Sequence, residues 1–207
     1  DMQVVSNNVA NSVMEIGNTT SSVSLYVSGV ASAIEEQSVV RHEYLDGMAW
    51  AMAGGTLDHS AVTTNIIVSL GVQLRGKGCR VYESNLRIRV KATGLATYPD
   101  ASIVCGRVQL DPADPKNTTA INPKVLIEVL SPSTEKYDRG EKVEHYRKIV
   151  SLKEIALVST RGQLVEVWRK TGHVWKRHEY RDVAQLVSVG CELALSEVYR
   201  DLAGEAG

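Results

Sequence analysis

Phenylalanine is absent from this chain of 207 residues, so aliphatic side chains and three tryptophans must fill any core. Nor is there an uninterrupted apolar run of about 18 residues, the length a membrane-spanning helix needs. No membrane span is expected. The amino-terminal stretch lacks a charged segment followed by an apolar one, so no export signal is expected either. Cysteine is scarce: Cys79, Cys105 and Cys191 stand alone, with no Cys-x-x-Cys pair. An odd, dispersed set argues against a disulfide framework or a zinc site. The three are read as small core residues in a reducing, cytoplasmic compartment. Lysine and arginine are missing from residues 1–40, which hold four acids, Asp1, Glu15, Glu35 and Glu36. Taking those 4 from the total of 24 acids leaves 20 against 23 basic residues, a net of +3 after residue 40. Such a balance is compatible with phosphate binding but does not by itself demand it.

What is present falls into two regions. In residues 1–39, Met2, Val9, Ile16, Val23 and Val30 recur every seven positions, with Ser6, Val13, Thr20, Val27 and Ile34 on a second seam. That is a coiled-coil register, although Gly17, Gly29 and many Ser and Thr lower helix propensity. A solvated amphipathic tail is the competing reading. The stretch VSGVASAIEEQS resembles the cytoplasmic signalling helices of bacterial methyl-accepting chemotaxis receptors.

From residue 40 to 207 the pattern becomes that of one α/β domain. Residues 42–45 and 48–52 flank Asp46-Gly47, a hairpin signal. Asp58 is expected to cap a helix with Val62, Ile66, Leu70 and Leu74 on one face, ended by Gly76 and Gly78. Strands are expected at 79–83, 86–90, 101–105, 125–130 and 155–158, with a hairpin made by 163–169 and 173–180. The alternation of helices with central acid-bearing strands is the reason to expect α/β architecture.

Two acids carry the chemistry. Asp100 opens the 101–105 strand, and Glu128 interrupts the apolar run Val-Leu-Ile-Glu-Val-Leu of 125–130. An isolated charge there is costly unless paired or bound to a cation. Antiparallel pairing of the two strands, with Cys105 opposite Lys124, would set Asp100 beside Glu128. Hard oxygen donors of this kind suit Mg²⁺ or Mn²⁺, so Asp100 and Glu128 are the expected metal ligands. A hydrolytic site also needs a cation for developing charge. Asp138, Lys142 and Tyr146 lie four apart on one helix face. Lys142 is the candidate, with Asp138 and Glu141 expected to cap the helix.

The runs Tyr98-Pro99-Asp100, Ile127-Glu128-Val129-Leu130-Ser131-Pro132-Ser133-Thr134 and Asp138-Arg139-Gly140-Glu141-Lys142, with Tyr146, resemble the Uma-two family of restriction-endonuclease-like proteins in the PD-(D/E)XK superfamily. The earlier stretch His42-Glu43-Tyr44-Leu45-Asp46-Gly47, with Met52-Ala53-Gly54-Gly55 and His59, resembles it too, so the likeness spans about residues 40–203. The resemblance implies a restriction-endonuclease-like core, a central mixed sheet flanked by helices, and a divalent-metal phosphodiesterase acting on nucleic acid, DNA above all, with a homodimer as the common assembly. It implies Asp100 and Glu128 as metal ligands, Glu43 as an acid completing the shell, and His59 and Tyr146 as further matching positions. The chain departs from the pattern at Leu130, two residues after the strand glutamate, where the superfamily carries its lysine. The resemblance implies that Lys142 has taken over that lysine's place. A nuclease fold that binds without cutting is the alternative, and a coiled-coil interaction module is a second.

Overall fold

A computed structural model describes residues 42–45, 48–51 and 55–202 of the chain. The heptad segment and the Asp46-Gly47 turn lie outside the described residues.

A six-stranded mixed sheet forms the centre, with strand order β11-β10-β9-β8-β6-β3. Its strands are β3 (Cys79–Glu83), β6 (Ala101–Cys105), β8 (Val125–Leu130), β9 (Glu154–Ser159), β10 (Val165–Thr171) and β11 (Val174–Tyr180). Only β8 and β9 run parallel; the other neighbours are antiparallel. All six residues of β8 are buried, as a strand covered on both faces requires. Its side chains alternate between two cores. Val125, Ile127 and Val129 pack against Val62, Ile66 and Leu70 of helix α1 (Leu57–Gln73). Leu126 and Leu130 pack against Val143 and Tyr146 of a second helical segment, α2 (residues 135–146).

Thr56, not Asp58, caps α1, its hydroxyl accepting from the His59 N–H at 3.2 Å. The expected burial of Val62, Ile66 and Leu70 holds, and Gly76 and Gly78 take positive φ of 75° and 66° where the chain turns back. Segment α2 is composite: Glu135–Tyr137 is α-helical, Asp138–Lys142 is a π-helical turn, and Val143–Tyr146 is α-helical again. Asp138 therefore sits inside the helix rather than at its cap. Short π-helical insertions tend to occur at functional sites, because they re-aim side chains. Here the π turn buries both Asp138 and Lys142.

A five-stranded sheet, ordered β2-β1-β5-β4-β7, adds β1 (His42–Leu45), β2 (Met48–Ala51), β4 (Arg87–Arg89), β5 (Ala96–Thr97) and β7 (Thr119–Ala120). A two-stranded ribbon, β12 (Val183–Leu186) with β13 (Cys191–Ala194), leads into a last helical turn, α3 (Leu195–Val198).

The expectation of three unpaired cysteines is corrected. Cys79 and Cys105 stand directly opposite each other in the β3–β6 ladder and form a disulfide, leaving Cys191 free and buried. They are 26 residues apart, so only the strand pairing reveals the partnership. With that bond present, the cysteine pattern no longer supports a reducing compartment. Among the described residues no helix is long and apolar enough to cross a membrane.

Candidate active site

Strands β6 and β8 do pair antiparallel, but one residue out of the expected register. Ala101 faces Ile127 and Ile103 faces Val125, with the Lys124 N–H donating to the Ile103 carbonyl at 2.7 Å. This shift keeps the four apolar residues in one core. A one-residue slip would exchange the faces of the strand. Extending the ladder one step brings Asp100 level with Glu128. The Asp100 Oδ2 then accepts the Val129 N–H at 2.7 Å and lies 3.3 Å from His59 Nε2. The first turn of α1 thus holds one side of Asp100.

Glu128 points to the α2 side of the sheet, in line with Leu126 and Leu130. Its Oε1 accepts from the Tyr146 hydroxyl in a short hydrogen bond and lies 3.1 Å from Lys142 Nζ. The same ammonium is 3.0 Å from Glu43 Oε1 and 3.4 Å from Asp138 Oδ1. Glu43 is delivered by the smaller sheet. Its Oε1 also accepts from Thr97 on β5, and its Oε2 accepts from the Tyr137 hydroxyl at 3.2 Å. Glu43, Glu128, Asp138 and Lys142 are all buried. The lysine expected on the helix face, and the acids expected on β1 and β8, therefore converge. Tyr137, Thr97 and the inward role of Asp138 were not foreseen. For Asp138 the four-residue spacing to Lys142 was the available signal; Thr97 sits in a two-residue strand that leaves no pattern.

The charges are unbalanced. Four carboxylates, Glu43, Asp100, Glu128 and Asp138, meet one lysine and one histidine. Burial holds the Glu128 carboxyl well above the usual carboxylate range; Asp100 and Asp138 push the same way, against Lys142 and Tyr146. Asp138 is raised by burial, against the pull of Lys142 and Thr134. Burial also works against the charge on Lys142, but Glu128, Tyr146, Glu43 and Asp138 outweigh it and keep the ammonium protonated well above the ordinary lysine range. His59 is raised, chiefly by its hydrogen bond to Asp100, although burial opposes this. Burial and Glu128 push the Tyr146 hydroxyl upward, so it remains a donor.

The residues fit a divalent cation in chemistry, though not as a finished cage. Among the described residues no three His, Cys, Asp or Glu side chains gather as a ready-made metal cluster; the lysine ammonium occupies the middle of the carboxylates instead. Asp100 and Glu128 each use a single oxygen in the hydrogen bonds above. Each therefore keeps a second, hard oxygen without a hydrogen-bond partner among the described residues. The surplus negative charge is of the kind such an ion offsets.

Fold and site together define an α/β protein with a restriction-endonuclease-like core, its acids on two neighbouring central strands and its lysine on the covering helix. A profile of the Uma2 family, described as "Putative restriction endonuclease", matches residues 31–199. The uncharacterized protein slr1290 of Synechocystis sp. is 36% identical over 173 residues, 82% of this chain and 88% of that one. A second Synechocystis protein, sll1609, is 26% identical over 138 residues, 67% of this chain and 77% of that one. Among solved structures, a "putative nuclease belonging to DUF820" from Anabaena variabilis shares the fold with a TM-score of 0.62 at 19% identity, covering 76% of this chain and 89% of that one. This chain belongs to the Uma2 family.

Proposed function

We propose that the chain is a metal-dependent endonuclease that hydrolyses phosphodiester bonds of DNA. The observation that carries this reading is the excess of buried carboxylates around one lysine at the edge where β6 begins and β8 ends. Three buried acids, with the half-buried Asp100 beside them, outnumber the nearby cations, and unpaired buried charge is costly for a fold.

Asp100 and Glu128 would hold Mg²⁺ or Mn²⁺ through their second oxygens. A cation bound there supplies Lewis acidity toward a phosphate oxygen and makes a nearby water more acidic. The chain's own groups do the positioning. The Val129 N–H and His59 fix the Asp100 carboxylate, and Tyr146 fixes Glu128. Such supporting bonds orient ligands before any substrate arrives. Lys142 places a full positive charge beside Glu128, where it can offset the charge that builds on the phosphate in the transition state. Cutting both strands of a duplex in one encounter takes two such sites, and a homodimer would supply them.

Plasmid DNA incubated with the protein and Mg²⁺ or Mn²⁺ should be cut, and excess chelator should stop the cutting. Asp100→Asn and Glu128→Gln should each slow it by roughly 10³-fold. Cleavage by either variant at the wild-type rate would refute the assignment.

A second reading, binding without cutting, draws on Leu130 in the usual lysine position and on the full engagement of Lys142 with three carboxylates. It predicts a measurable shift of labelled DNA with no cleavage product in either metal.

A further inference from the structure

We infer that Lys142 is a displaceable internal cation: it holds the carboxylates together without metal, and divalent binding must loosen it. The inference rests on the metal-dependent reading above.

An ammonium has three N–H bonds and no acceptor. In this site three carboxylate oxygens face it, Glu43 Oε1 at 3.0 Å, Glu128 Oε1 at 3.1 Å and Asp138 Oδ1 at 3.4 Å. Those oxygens come from β1, β8 and the π turn of α2, so Lys142 ties three elements together. Its side chain is only 5% exposed, so water has little room to take a share. With three carboxylate oxygens within 3.4 Å, the charge of the ammonium is already shared among side chains of the chain itself. The lysine turns its charge fully toward a substrate once one of these ion pairs loosens.

Glu43 and Glu128 differ in how firmly they are held. Both oxygens of Glu43 are engaged, by Thr97, Lys142 and Tyr137. Glu43 is therefore the lysine's anchor rather than a free ligand. Glu128 has one oxygen loaded by both Tyr146 and Lys142 and the other unpartnered among the described residues. A divalent ion drawn to Asp100 and Glu128 competes with Lys142 for the same negative charge and repels it at short range. The ion pair from Lys142 to Glu128 is the contact that must weaken, and the ammonium is then free to reorient. Binding and lysine release are reciprocal, as linked equilibria must be.

The test uses the intact chain. Mn²⁺ and Mg²⁺ are titrated calorimetrically into wild type and Lys142→Met. The variant should bind Mn²⁺ at least about tenfold more tightly, the size of an ordinary coupling between sites. It should also melt lower than wild type when metal-free, with Mn²⁺ restoring the difference. Equal or weaker affinity in the variant would overturn the inference. Because Lys142→Met removes a buried charge partner that the metal-free fold leans on, a second measurement uses wild type alone. The side-chain ammonium signal of Lys142 in proton–nitrogen NMR should be visible in metal-free protein and should shift or vanish at saturating Mg²⁺. A signal unchanged at saturation would overturn the inference while leaving the metal site intact. Absence of binding in both proteins would instead defeat the metal-dependent reading, and this inference with it.

Discussion

Glu128 and Glu154 are both buried glutamates on neighbouring central strands, yet their surroundings are opposite. Glu154 is fully buried, and its Oε1 accepts from Arg169 Nε at 2.8 Å and from the Val187 N–H at 3.1 Å, while its Oε2 accepts from the Ser188 N–H at 2.9 Å. Arg169 goes on to the Gln185 carbonyl, so the whole cluster stitches β9 and β10 to the turn before β13. Charge is matched and every oxygen is used. Glu128 has more acids than cations near it and an oxygen left over. Burial of a carboxylate alone therefore says little about function; surplus like charge does.

That contrast can be broken from either side. The largest effect belongs to Glu128→Gln, which should cut DNA cleavage by roughly 10³-fold, the scale of losing one electrostatic group at a reacting centre. Its urea midpoint should stay near that of wild type, because the change removes a surplus charge. Glu154→Gln should do the reverse. It strands Arg169 and should destabilise by about 3 kcal/mol in urea unfolding, while the folded fraction binds Mn²⁺ like wild type. If Glu154→Gln spared stability, the two acids would not differ as described.

A smaller effect is read from pH. Glu128, Asp138 and His59 all have folded-state values above their ordinary ones. Each raised group contributes stability that is fully present below its unfolded value and lost as pH rises through the folded value. The melting temperature of metal-free protein should thus fall as pH climbs from the ordinary carboxylate range past the ordinary histidine range. With Mg²⁺ or Mn²⁺ the slope should flatten or reverse, because the ion needs the deprotonated carboxylates. The smallest effect is that of His59→Asn, which should flatten only the part of the metal-free slope above the ordinary histidine value. An unchanged slope would mean that the His59–Asp100 contact contributes nothing in solution.

Much of this site could be read from local patterns. A lone acid inside Val-Leu-Ile-Glu-Val-Leu marks itself by its cost, and Asp138, Lys142 and Tyr146 mark a helix face by their spacing. The register of β6 on β8 differs by one residue from the expected one, since either alignment sets Ile103 opposite an apolar residue of β8, Val125 or Leu126. Asp138 looked like a cap because Asp-x-x-Glu is a capping pattern; the helix begins earlier, at Glu135, and the π turn rotates Asp138 inward. The bonds from Thr97 and Tyr137 to Glu43 join residues 54 and 94 positions apart, a separation at which no periodicity speaks. The cysteine pair was hidden for the same reason.

The Cys79–Cys105 bond closes one end of the ladder that β6 makes with β3, the outermost strand on that side of the sheet. Asp100 precedes the other end. An outer strand is ordinarily where a sheet unzips and where foreign strands add on. Riveted at its far tip, β3 cannot peel away without β6 following, so the support beneath Asp100 resists fraying from the margin, and thiol reductants should expose that margin to self-association before they disturb the acids themselves.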